Sequence, residues 1–226
     1  MRVENPRTLQ VAILLYPGVT ALDAVGPWEI LSRLPGAEVR FVGKEVGPVA
    51  TEGGVLTLGV THTLAETSTP EVLVVPGGTT TPAQMADDAI LDWLRYVHAW
   101  TTWTASVCTG SLILGAAGIL KGRPATSHWY RIGVLRIMGA EPRPAARIVR
   151  SGKIVTAAGV SAGIDVALWL AGEIAGRERA EAIQLAIEYD PQPPFDSGSV
   201  EKASPALVNK VKASLLEYSR RAAGVK

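Results

Sequence analysis

Residues 104–118 read TASVCTGSLILGAAG. A short apolar run from Thr104 to Val107 passes directly into Cys108, then into a turn of small residues, then into a stretch of Leu, Ile and Ala. Strand, sharp turn and helix in that order are the parts of a nucleophile elbow, here with a thiol in place of a hydroxyl. They are also one unit of an α/β fold, in which a buried parallel strand reads as a continuous apolar run. Such a turn puts the thiol near a helix N-terminus, whose partial positive charge favours thiolate. The competing reading of Cys108 is a core cysteine that packs as a small hydrophobe.

Outward from this unit the pattern repeats. Apolar runs at residues 10–16, 39–42, 71–75 and 154–157 read as further strands, each bounded by Gly, Pro or a polar residue. Residues 22–33, 89–100, 109–117, 130–138 and 162–176 read as helices; Ile90, Leu94 and Val97 recur at helical spacing. Alternation of this kind predicts an α/β sandwich with a mainly parallel central sheet flanked by helices. Residues 48–62 (PVATEGGVLTLGVTH) break the rhythm, and Gly53-Gly54 marks a hairpin. Pro191, Pro193 and Pro194 precede a last amphipathic helix over residues 205–221. The expectation is one domain over 1–226, with a C-terminal helical extension from about residue 201.

Composition narrows the function classes. Twenty-two basic and 21 acidic side chains leave a net charge of +1, with no basic block of the kind a nucleic-acid binder shows. The mild excess of Lys and Arg after residue 201, which includes Arg220, Arg221 and Lys226, is spaced as on a solvated helix. A single cysteine makes no internal disulfide and asks for no oxidising compartment. Three dispersed histidines and that cysteine offer no metal-ligand spacing. The apolar stretch 11–16 stops at Pro17, short of the roughly 18 residues of a membrane span. Glu4 and the lack of a small-residue cleavage site argue against a signal peptide. Together these predict a soluble, cytoplasmic protein with no metal, no nucleic acid and no membrane partner.

In parallel sheets, ligands sit beyond the carboxyl ends of the strands. Gly77 and Gly78, in the Pro76-Gly77-Gly78 turn after VLVV, read either as backbone N–H donors to a developing negative charge or as a plain strand-ending turn. Asp23, in TALDAVGPWEI, reads either as a helix N-cap or as a carboxyl beside the thiol whose pKa burial would raise. Thr109 follows the cysteine where some cysteine hydrolases carry a histidine, so the elbow supplies no local imidazole and peptide hydrolysis loses ground. His62 and His98 read as surface residues. His128, beside Trp129 and Tyr130, reads as structural or as a residue of the cleft.

Together VAILLYPGVTALDAVGPWEIL, VLVVPGG, SVCTGSLILGAAGIL, ATSHWY and GVSAGIDVALWLAGEIAG resemble the ThiJ/PfpI superfamily of flavodoxin-like, cysteine-elbow proteins. LDAVGP, SVCTGS and ATSHW look like the branch that holds isocyanide hydratases and the amidase-like domains of AraC-type regulators. AIQLAIEYDPQPPFDSGS is similar to the C-terminal region of the hydratases. The resemblance implies Cys108 as nucleophile, Asp23 as its acidic partner, Thr109 as the residue after the nucleophile, Gly77 and Gly78 as the turn opposite the thiol, and a homodimer. It implies a cofactor-independent hydration of a small uncharged isocyanide through a thioimidate, with Asp23 carrying the proton. Two alternatives stay open: a cysteine-based stress-response or glyoxalase-like protein, and a ligand-sensing domain. For the second, the stretch after Pro194 is too short for a helix-turn-helix module.

Overall fold

A computed structural model describes residues 8–222 of the chain, with side chains described as far as Ser219; Glu4, the side chains of Arg220 and Arg221, and Lys226 lie outside that description. The first strand, β1 (Leu9–Leu14), has its last four residues fully buried, and α1 (Ala21–Leu31) follows it. Strand β2 (Ala37–Gly43) pairs parallel with β1. The hairpin expected over 48–62 forms as β3 (Gly47–Ala50) and β4 (Thr57–Val60), antiparallel, followed by the short β5 (His62–Thr63). Strand β6 (Val72–Val75) leads through the single turn α2 (Thr81–Gln84) to α3 (Asp88–Trp100). Asp87 caps α3 by accepting from the Ile90 N–H, and Ile90, Leu91, Trp93, Leu94 and Val97 form its buried face.

Strand β7 (Trp103–Ser106) and helix α4 (Gly110–Ala116) flank the cysteine. Beyond them come β8 (Pro124–Ala125), α5 (Val134–Ile137), β9 (Glu141–Pro142), β10 (Ile148–Ser151) and β11 (Ile154–Ala157). Helices α6 (Ala162–Ala175), α7 (Arg177–Ala186) and α8 (Pro205–Ala222) complete the order. The main sheet runs β10-β11-β7-β6-β1-β2-β5, and all its pairings are parallel except β10 with β11. Strands β6, β7 and β11 are buried along their whole length because helices cover both faces.

Two expectations need correction. The helix predicted over residues 130–138 is a run of turns that ends in the single helical turn α5. The Tyr130 and Arg131 N–H groups bond back to the Nδ1 and carbonyl of His128, which holds this segment in turns. His98 is half-buried rather than a surface residue, with Nδ1 2.8 Å from Thr104 Oγ1. His62 is likewise partly buried, its Nδ1 2.9 Å from Thr61 Oγ1.

The strand order decides where a site can form. After β1 the chain moves to β2 on one side, then returns to place β6 on the other side of β1. That reversal leaves a crevice beyond the carboxyl ends of β1 and β6, the place where doubly wound sheets bind ligands.

Candidate active site

Val107 leaves β7 and Cys108 turns the chain with φ at +58°, a left-handed conformation that costs an L-residue on the order of 1–2 kcal/mol. The strain is held by backbone and hydroxyl partners. The Cys108 N–H donates to the Ala158 carbonyl at 2.9 Å, and the Cys108 carbonyl accepts from Ser127 Oγ at 3.0 Å and Ser111 Oγ at 3.2 Å. Gly110 completes the turn; a Cβ there would lie 1.9 Å from the Val75 carbonyl oxygen. Val160, in the loop after β11, is also at positive φ (+28°), so two strained residues face one site.

The sulfur is buried, with the Val160 and Thr109 N–H groups and the Asp23 carboxyl near enough to bias its ionisation. Burial raises the Cys108 pKa well above 9, and the Asp23 charge adds to that; the two amides work in the opposite sense. The thiolate expected from the helix N-terminus therefore does not stand alone. Cys108 and Asp23 are thus two buried acidic groups side by side, each raised in pKa mainly by burial.

Asp23 is the third residue of α1, whose N-cap position is Thr20, and its side chain does not cap the helix. Its Oδ2 accepts from the Gly77 N–H at 3.0 Å, a bond that spans the crevice between β1 and β6. Oδ1 is buried without a hydrogen-bond partner. Burial raises this carboxyl from 3.8 to about 7, against the opposing pull of the Gly77 N–H and the thiol. Next to it, the Gly78 N–H donates to Thr109 Oγ1 at 3.2 Å, and Thr81 Oγ1 donates to the Gly78 carbonyl at 2.8 Å. Thr81 has no second proton, so the 2.8 Å contact between the two hydroxyls runs from Thr109 to Thr81. Both amides of the glycine turn are thus engaged by site side chains, and the N–H groups aimed at the sulfur are those of Thr109 and Val160. Gly77 cannot carry a side chain, because a Cβ would lie 2.6 Å from the Thr109 nitrogen.

A profile of the DJ-1/PfpI family matches residues 9–173, which span β1 to α6 and every residue of this arrangement. The chain belongs to the DJ-1/PfpI family. It is 43% identical over 204 residues to the isonitrile hydratase of Pseudomonas putida, covering 90% of this chain and 89% of that one. It is 28% identical to the HTH-type transcriptional regulator CdhR of Pseudomonas aeruginosa over 79% of this chain and 53% of the regulator. The crystal structure of a THiJ/PfpI family protein from Pseudomonas syringae superposes with a TM-score of 0.90 at 39% identity, covering 96% of this chain and 90% of that one.

In this DJ-1/PfpI chain the elbow opens into a cavity of about 560 Å³ with Cys108 and Thr109 on its lining. His128 lines it too, half-buried, its Nδ1 accepting from the Tyr130 N–H at 3.3 Å; burial lowers its pKa, so the ring is neutral near pH 7. Three contributors carry no local sequence signal. Tyr16, two residues beyond β1, donates to the Pro76 carbonyl at 2.9 Å beside Asp23. Glu52, from the β3–β4 hairpin, accepts from Thr20 Oγ1 at 2.8 Å. Leu215, Leu216, Tyr218 and Ser219 of α8 line the same cavity. Among the described residues, no group of three or more His, Cys, Asp or Glu is placed to hold a metal ion, and no helix is long and apolar enough to cross a membrane.

Proposed function

We propose that this protein is a lyase that hydrates an isocyanide to an N-substituted formamide, without a metal or organic cofactor. Cys108 is the nucleophile and Asp23 the proton carrier. The observation that carries the reading is the buried Asp23–Cys108 pair with no imidazole at position 109. Likeness to the isonitrile hydratase over nine-tenths of the chain supports it. We also infer a homodimer in the cytoplasm and a small uncharged substrate.

The terminal carbon of an isocyanide must gain a nucleophile and a proton. With one proton between the pair, the Cys108 sulfur forms the S–C bond and Asp23 delivers its proton to that carbon, giving the thioimidate R–N=CH–S–Cys108. Water then attacks this carbon; its two protons go to the substrate nitrogen and to the Asp23 carboxylate. The C–S bond breaks, the formamide R–NH–CHO leaves, and the pair again holds one proton. No amine is expelled, so no histidine acid is required. Thr109 and Val160 N–H groups hold the sulfur charge, while Gly77 and Gly78 hold Asp23 and Thr109 in register.

The test is a panel of aryl and alkyl isocyanides with methylglyoxal as comparator, with the N-formamide read by mass spectrometry. Wild type is expected to produce the formamide, and Cys108→Ala none. A wild type inert toward the whole panel overturns the reading; methylglyoxal consumption in its place would favour the glyoxalase-like alternative.

A further inference from the structure

We infer that α8 is the specificity-determining wall of the substrate cavity, and that Leu215 sets how bulky an apolar substituent the substrate can carry. The inference rests on the hydratase reading for the identity of the reacting group, but its geometry does not.

Four observations carry it. First, the cavity that reaches Cys108 is closed on one side by Leu215, Leu216, Tyr218 and Ser219, all within one turn or so of α8. Second, α8 arrives there after a solvent-exposed, proline-interrupted segment, so its position comes from what it meets at the site rather than from continuity with the core. It is tied by the Tyr218 hydroxyl, which donates to the Glu52 carbonyl at 2.9 Å; Glu52 in turn takes the Thr20 hydroxyl, three residues before Asp23. Third, the family profile covers residues 9–173, so it takes in the elbow while α8 lies outside the part that defines the family. Fourth, Met85, Leu112 and Val134 line the cavity with Leu215 and Leu216, and apolar side chains on both sides call for an apolar substituent between them. A volume of about 560 Å³ is far more than a methyl or ethyl group fills, so the fitting substrate is an isocyanide with a bulky, uncharged substituent.

The experiment uses the full chain and the ratio of kcat/KM for 2-naphthyl isocyanide to that for methyl isocyanide. Leu215→Trp is expected to lower the ratio by about tenfold or more, and Leu215→Ala to raise it. Lys210→Ala, exposed on α8 and outside the cavity lining, is the control and leaves the ratio unchanged. Because Cys108 is the single cysteine, a second readout is independent of turnover: alkylation by iodoacetamide against a naphthyl iodoacetamide, followed by intact mass. The same opposite shifts are expected there. An enzyme inert toward isocyanides with opposite shifts in alkylation would sink the hydratase reading and leave the wall standing. Ratios that stay fixed in the alkylation assay, or that move the same way in both Leu215 variants, overturn the wall.

Discussion

At the scale of the residue, Asp23 carries both the proposed chemistry and a cost in stability. Its folded pKa of about 7 lies above the ordinary 3.8, so between those values the folded chain keeps a proton that the unfolded chain has released. Stability therefore falls as pH rises from about 4 to about 7, and the full deficit, about 4 kcal/mol from the size of the gap, persists above that. Asp23→Asn removes the buried charge. It is expected to melt at a higher temperature than wild type at pH 8, with the advantage fading toward pH 4, as differential scanning calorimetry would show. The same variant should lose about 10²–10⁴-fold in isocyanide hydration, since it cannot carry a proton. For wild type, kcat/KM is expected to rise through pH about 7, where ionisation of Asp23 leaves the pair with one proton. Asp23→Asn should lack that inflection. A flat wild-type profile between pH 6 and 8 would remove Asp23 from the mechanism.

At the scale of the element, the elbow shows how tightly backbone packs behind the thiol. A Cβ on Gly110 would meet the Val75 carbonyl at 1.9 Å and the Pro76 carbonyl carbon and oxygen at 2.8 Å. Those are main-chain atoms of the neighbouring strand β6 and the turn that follows it, so no rotamer change relieves the clash. Gly110→Ala is expected to lose at least about 3 kcal/mol in urea denaturation, or to fail to fold. This unit was readable because its signal is local: an apolar run, Cys, small residues and a helix within 15 residues. The central strands were readable for the same reason, and residues 154–157 form β11 with the expected bounds. What depends on tertiary partners was not. Strand β10 is an edge strand whose residues are only partly buried, so its sequence lacks an apolar run. Helix α7 is mostly exposed and begins only because Gly176, at φ +85°, breaks the helical stretch from α6. Tyr16 and Thr81 come to the site of Asp23 and Cys108 through the order of the main sheet, Glu52 through the β3–β4 hairpin and α8 through a tether, so no spacing in the sequence announces them.

At the scale of the whole molecule, the sheet has two differently built ends. Beyond the carboxyl ends of β1, β6, β7 and β11 the strained turns and the acid–thiol pair gather. At the opposite end, a cation joins elements distant in sequence. Lys153, in the turn that enters β11, donates through Nζ to the Thr101 carbonyl at 3.0 Å, the Ala99 carbonyl at 3.4 Å and the His98 carbonyl. These are carbonyls at the C-terminus of α3, where a positive charge is favourable. The Lys153 carbonyl accepts from the Thr104 N–H at 2.9 Å, so the same residue also registers β7. His98, bonded to Thr104, is held neutral: burial lowers its pKa to about 4, and the Lys153 and Arg123 charges push the same way. Lys153→Met keeps much of the stem but empties the carbonyl cluster, and should cost about 1–3 kcal/mol at pH 8 by denaturant titration. On acidification the unfolded chain protonates His98 below about 6.5 while the folded chain resists until about 4, so wild type loses stability through that window. The variant, relieved of the Lys153 charge, resists less and loses less, so its deficit should narrow between pH 6.5 and 4. Isocyanide turnover at 25 °C should be unchanged, because the knot lies at the end of the sheet away from Cys108. A deficit that stays constant across that pH range would separate His98 from Lys153, and a loss of turnover in the folded variant would mean that the two ends of the sheet are coupled.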